Sequence, residues 1–483
     1  MDALPHSIGF LFFGLGLTAS PWLLGAAIAY HVTLQKARND WRAPISIGIG
    51  GYLGYLMLAG VIWSCEKFAV NILNPTFVFA LAAITWVYVL YLLAVASKGG
   101  RLSCPDAAKC ETSAAPPSTR ISRCSFLFGS LLLATLLFYS VFHHSLLPLH
   151  AWDALDLWGP QAAEIIELQD HEQVFENRYY HPQTLSIILA WSAYASALVS
   201  TATGQWPWLL STLSIAFIVF GYSRWYEQSR LISALTAYMV TTVPLLENHS
   251  YLVGYGEVFV STALIGSCVL IDTAIQNQRI FLGLIGCFLA FSIVSLKNVG
   301  PFYFAIILSS YFLILAFSKS RAFGFLLIAL AGSLILYVFH VGISFQLITQ
   351  RFSVNPDEEK IIFAGKLLTI ISVETSHIFK ILVTALFYNN SFGILPHIFV
   401  VTTIFSLSHR SLRVQRSPFF LLVIILGVCG ITGSLYTDYG FQHAVPDNDT
   451  GNSRFMLPIM MLSALLVAPS LYGLNRKFST AEG

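Results

Sequence analysis

Apolar runs close to membrane-spanning length recur along the whole chain, at residues 8–28, 45–63, 76–96, 125–142, 206–222, 231–246, 257–275, 280–296, 301–317, 322–344, 392–408, 417–436 and 455–474. Each approaches the ~20 residues that a helix needs to cross the hydrocarbon core, where a backbone has to satisfy its own hydrogen bonds. The pattern predicts an all-α, polytopic transmembrane protein of about 13 spans. The first run has no Lys or Arg before it and exceeds the core of a signal peptide, so it reads as a retained span. Two further apolar stretches, 183–203 and 361–387, are interrupted by polar groups, the second by Lys366, Glu374, His377 and Lys380. Both suit helices lying at the outer interface. The alternative is that both cross, which gives fifteen spans and places Arg224 and Arg230 outside.

Threaded from an outside N-terminus, the thirteen spans put 18 of the 26 Lys and Arg inside and 18 of the 24 Asp and Glu outside, the sign that the positive-inside rule requires. The inside loop 98–124 is rich in Pro, Ser, Ala and Gly and basic at both ends. It reads as a flexible cytoplasmic linker between an N-terminal three-span group, 1–97, and a larger transmembrane region, 125–483, whose first outside loop is 143–205.

Composition excludes a water-soluble globule: the 483 residues are 56% hydrophobic and 10% charged, with a mean hydropathy of +0.70. The seven Cys have no metal-ligand spacing and imply no disulfide framework. No internal repeat, phosphate-binding glycine loop or nucleic-acid signature is present, so neither nucleotide hydrolysis nor nucleic-acid binding is expected.

Against this background, residues 151–182 gather seven Asp or Glu and one Arg. Gly159-Pro160 starts a helix there whose Ile165, Ile166, Leu168 and Val174 give a partial apolar face, with Glu164, Glu167, Asp170 and Glu172 as its solvated side. Asp153 has two readings. It caps a short helical piece with Asp156 as fourth member of the box, or, flanked by Trp152 and Trp158 at the membrane boundary, it is a functional carboxylate. Glu257 and Lys297 stand at the outer ends of apolar runs, costly positions that mean a functional contact or snorkelling. Arg454 opens the last run after a loop holding Asp438, His443, Asp447 and Asp449, which offer it structural pairing as the alternative to function. His181-Pro182 reads as a turn or as an orienting imidazole.

Five stretches, in order, resemble the GT-C superfamily of membrane glycosyltransferases, in the bacterial branch related to protein O-mannosyltransferases and the aminoarabinose transferase of lipid A. They are WDALDLWGPQAAEI, YYHP, VGYGEVFVSTALIG, SLKNVGPFYF and TGNSRFMLP, spanning residues 152–458. Gln-Thr follows His181-Pro182 where the family often has Asp-Tyr, Glu257 replaces an Asp, and Val299 replaces a Glu. The resemblance implies a GT-C-like fold with outside juxtamembrane helices, an inverting transfer and Asp153 as the catalytic carboxylate.

One outside cavity would then hold Asp153 and Glu257 as catalytic carboxylates, Lys297 and Arg454 as ligands of the donor phosphate, and His181, Asp156 and Trp158 as orienting groups. A carboxylate can draw the proton from an attacking hydroxyl, and fixed cations can stabilise charge growing on a departing lipid phosphate. The expected partners are a polyprenyl-phosphate sugar, a glycan, lipid-linked or protein acceptor, and membrane lipids, with no metal or other cofactor. The resemblance implies a bacterial inner membrane with the site facing out. The alternatives are a polysaccharide ligase or polymerase using a pyrophosphate donor, which would want more Arg outside, and a secondary transporter, which would show paired half-repeats.

Overall fold

The computed structural model describes residues 8–34, 41–67, 72–97, 131, 135, 158–167, 182–199, 205–226, 229–251, 255–341, 343–347, 350–355, 360–363, 366–371, 373–388, 391–408, 418–438, 441, 454 and 456–466. The chain divides into two compact units: 1–171 with 186–241 and 250–254, and 172–185 with 242–249 and 255–483. Among the described residues, five helices are long and apolar enough to cross a membrane. The linker 98–124 and nearly all of the run 125–142 lie outside the described residues.

In the first unit, the opening apolar run forms two helices, α1 (Ile8–Thr18) and α2 (Ser20–Leu34). Pro21 cannot donate to the carbonyl of Leu17, four residues back, and the Ser20 hydroxyl donates to that carbonyl instead at 2.8 Å. Next come α3 (Arg42–Lys67) and α4 (Pro75–Ser97). α2 lies along α3 at a distance that only small residues allow: a Cβ on Gly25 would strike the Gly50 carbonyl, and one on Gly54 the Pro21 carbonyl. α4 turns Val87 and Leu90 outward, as a helix facing lipid does.

The helix expected from Gly159-Pro160 is α5 (Gly159–Glu167), with Ile165 buried and Glu167 exposed. Its Gln161 side-chain oxygen accepts a hydrogen bond from the Ser186 hydroxyl of α6 (Thr184–Ala197). Here α6 departs from the expected interfacial helix, because Leu185 through Ser192 are all buried. Its Ser186 and Ser196 hydroxyls bond within the protein rather than marking a wet face. α7 (Trp206–Trp225) packs against α3, and its Ser214 hydroxyl accepts a hydrogen bond from the indole N–H of Trp22 at 2.8 Å. The N-terminal helices thus share a unit with α7. The apolar run 231–246 does not form one span. It becomes α8 (Arg230–Thr241), whose 12 residues reach only about 18 Å, and α9 (Pro244–Tyr251), begun by the proline that ends the first pattern.

α9 opens the second unit. α10 (Glu257–Asn277) is buried almost all round, polar Ser261, Thr262, Ser267 and Asp272 included, as a helix with apolar residues on every side is. α11 (Ile280–Ser292) packs on it and runs into a 3₁₀ turn at Ile293–Ser295, followed by α12 (Gly300–Lys319) and α13 (Arg321–Val341).

The expectation of an all-α chain fails between residues 343 and 369. Strands β1 (Ile343–Leu347), β2 (Gln350–Asn355), β3 (Lys360–Phe363) and β4 (Lys366–Thr369) form an antiparallel sheet in sequence order. Ile343 pairs with Val354 and Phe345 with Phe352 on one face, while Ser344 pairs with Ser353 and Gln346 with Arg351 on the other. That alternation is the two-residue period of a half-buried sheet. It also means that 361–387 is not one interfacial helix: its first half supplies β3 and β4, and only α14 (Thr375–Val383) and a π-helical turn at Thr384–Tyr388 are helical. Ile378 and Ile381 of α14 bury against Leu435. The chain ends its described part with α15 (Leu395–Ser408), α16 (Pro418–Ser434) and α17 (Met456–Leu466).

Candidate functional site

The second unit brings three charged residues from separate parts of the sequence onto one carboxylate oxygen. Glu257 is the first residue of α10, where unpaired backbone N–H groups and the helix dipole favour an anion. Its Oε1 accepts from the Lys297 ammonium in a short contact and from the Arg454 Nε at 2.7 Å. Lys297 reaches it from the turn between the 3₁₀ segment and α12. That turn is tight: the Gly300 N–H donates to the Lys297 carbonyl at 2.8 Å, and a Cβ on Gly300 would collide with the backbone of Ile293 and Val294. Arg454 arrives from just before α17.

Two aromatic rings complete the cluster. The Arg454 guanidinium lies 4.3 Å from the centre of the Tyr255 ring, and the His249 imidazole stacks on the same ring at 4.6 Å. α9, which carries His249, is held at its start by the Leu245 N–H donating to the Ser391 carbonyl at 2.9 Å. Beside it, Gly393 takes a left-handed φ of 54° against the Pro244 ring. His249 Nδ1 stands 3.9 Å from Glu257 Oε2, too far for a hydrogen bond, and both atoms are buried with no hydrogen-bond partner among the described residues.

The electrostatics follow from burial. Burial pushes the His249 imidazole down to about 4, so it is neutral at pH 7, although Glu257 opposes the shift. Glu257 therefore meets two cations, Lys297 and Arg454, on one carboxylate oxygen, beside a neutral imidazole. The Glu257 side chain is 4% exposed, Lys297 12% and Arg454 18%, so the cations lie on the outer side of the carboxylate. Such a cluster can hold an anion. Among the described residues no group of three or more His, Cys, Asp or Glu could hold a metal ion.

Of the residues expected at the site, the structure thus gathers Glu257, Lys297 and Arg454. Arg454 pairs with Glu257, while Asp438, one of the acids offered as its structural partner, accepts the backbone N–H of Thr369 at 2.8 Å. Trp158, expected as an orienting group, is fully buried in the first unit. Asp153, Asp156 and His181 lie outside the described residues. Sequence reasoning gave no role to His249 or Tyr255. The meeting of His249 with Glu257 depends on how two helix ends approach, which no spacing encodes. No family model matches the chain, nor does any curated protein or solved structure.

Proposed function

We propose that the chain is a membrane glycosyltransferase that moves a sugar from a polyprenyl-phosphate donor to an acceptor hydroxyl, with inversion, on the outer face of a bacterial inner membrane. The observation that carries the reading is the ion cluster: two cations, each more exposed than the buried carboxylate on which they converge. A lipid phosphodiester is an anion whose headgroup sits at the membrane boundary. Lys297 and Arg454 would bind it and stabilise the charge that grows on the phosphate as the glycosidic bond breaks. Before the donor arrives, Glu257, with both cations on one oxygen, keeps them oriented. Asp153 takes the acceptor proton in this scheme, and His181 and Asp156 orient the acceptor.

The test is consumption of donor by purified protein offered monophosphate-linked and pyrophosphate-linked polyprenyl sugars. Use of the monophosphate-linked donor alone is expected, and Lys297→Ala or Arg454→Ala should weaken it, since a charge-assisted contact is worth about 1.5–3 kcal/mol. Consumption of the pyrophosphate-linked donor alone would make the chain a ligase or polymerase. Unchanged donor dependence in both variants would remove the cluster from the donor site.

A further inference from the structure

The donor reading leaves one feature of the cluster without a use. Glu257 Oε2 and His249 Nδ1 are both buried, both lack a hydrogen-bond partner among the described residues, and face each other across 3.9 Å. A buried pair of this kind is costly to leave unmade and persists where some other state of the site uses it. The missing contact is short of a hydrogen bond by about 1 Å.

We infer that anion capture at this cluster is coupled to uptake of one proton by His249. The inference rests on the reading that a phosphodiester binds Lys297 and Arg454. A phosphodiester that engages the two cations draws them from Glu257 Oε1, and the carboxylate then needs another counter-charge. His249 is the adjacent group able to become one: its imidazole takes a proton from solvent and pairs with Oε2 as imidazolium. The proton comes from bulk water, no bond to phosphorus changes, and dissociation of the anion returns the cations to Glu257 and the proton to solvent.

On anion binding, the influence of each charged group facing His249 among the described residues changes in favour of the imidazolium. Glu257, on α10, favours the imidazolium, and its effect grows once Lys297 and Arg454 no longer neutralise it. Lys297, from the turn before α12, and Arg454, from the segment before α17, disfavour it, and a bound phosphate screens both. Tyr255 stacks on the ring, the Tyr303 phenol of α12 lies within the field of Glu257, and Glu247 is the acidic residue on His249's own helix. Burial holds His249 at about 4 in the anion-free state, which leaves the imidazole empty and ready to accept a proton at neutral pH. By linkage, affinity for the anion must fall as pH rises from that value to the higher one of the occupied state.

The experiment is titration calorimetry of the full-length chain in detergent with a dialkyl phosphodiester, whose own charge is fixed between pH 5 and 8. It is run at each pH in two buffers of different ionisation enthalpy. The wild type should take up a fraction of a proton per ligand bound, and its apparent Kd should weaken with pH by at most about tenfold per unit. His249→Gln should still bind, with no proton exchanged and a flat pH profile. Wild-type binding without proton exchange, a measurement that needs no variant, would overturn the inference and leave the donor site standing. Equal uptake in His249→Gln would do the same. Binding that is absent, or that survives Lys297→Ala combined with Arg454→Ala, would remove the phosphate site itself and this inference with it.

Discussion

Glu257→Gln strips the charge from the centre of the cluster while keeping an oxygen that can accept from Lys297 and Arg454. In wild type both cations share Oε1. With an amide in its place, the two positive charges stay side by side without the carboxylate they share. A pair exposed to water would lose about 1 kcal/mol or less, and a fully buried one about 3–5 kcal/mol. Glu257 is 4% exposed, Lys297 12% and Arg454 18%, so the site lies near the buried limit and a loss of about 3 kcal/mol is expected. For a cooperative unit of 150–250 residues, each kcal/mol moves the midpoint by about 2–4 °C, which gives a fall of roughly 6–12 °C. The assay is thermal unfolding in detergent at pH 7 in phosphate-free buffer, with Glu257→Asp as a control that keeps the charge. Removing one stranded cation as well, in Glu257→Gln with Lys297→Met, should recover at least about 1 kcal/mol, a non-additivity expected only of groups in contact. A midpoint for Glu257→Gln within about 2 °C of wild type, or strictly additive losses in the double variant, would refute this account of the cluster.

Further expectations concern other parts of the chain. Asp153→Asn retains helix-capping ability but accepts no proton, so donor turnover should fall by about 10²- to 10⁴-fold with the unfolding midpoint unchanged; wild-type turnover would leave Asp153 as a cap only. Gly54→Leu should push α2 off α3 through the Pro21 carbonyl and cost at least about 1–3 kcal/mol, read as a lowered midpoint, whereas Gly60→Leu, with open space around it, should change little. His249, held at about 4 against about 6.5 when unfolded, binds fewer protons in the folded chain. Stability should therefore drop as pH falls from 6.5 to 4 and level off below, by an amount on the order of 3 kcal/mol that His249→Gln lacks; equal slopes in the two proteins would place the pH dependence elsewhere.

What could be read from sequence divides along physical lines. Glu257, Lys297 and Arg454 were legible one by one, because a charge at the end of an apolar run is expensive wherever it occurs. That they meet was not, since residues 257, 297 and 454 are joined only through the packing of α10, α12 and α17. The run 231–246 looked continuous because average hydropathy passes over Pro244, although the proline marks the break when read alone. The sheet was hidden for a related reason. Ile343, Phe345 and Leu347 alternate with polar residues for only one short strand after a long apolar helix, and Ile361, Ile362, Leu367 and Leu368 are apolar on both faces, which is a helix-like content without a helix period. In the sequence that joins β2 to β3, Asn355-Pro356-Asp357 is a local sign of a reversal.

The convergence of two cations on one oxygen says more about function than any one residue does. A buried carboxylate at the start of a helix is already favoured by the backbone N–H groups beside it, so a single cation suffices to pair with it. Here Lys297 and Arg454 both reach Oε1 from partly buried positions. Holding two long, partly desolvated side chains at one point is a cost to folding. The arrangement becomes favourable when a further anion approaches from the side on which Lys297 and Arg454 keep their remaining exposure. Glu257 then acts as an internal stand-in for that anion: it orients two long side chains in the empty site and gives them up on binding, so that little side-chain freedom remains to be lost at the moment of capture.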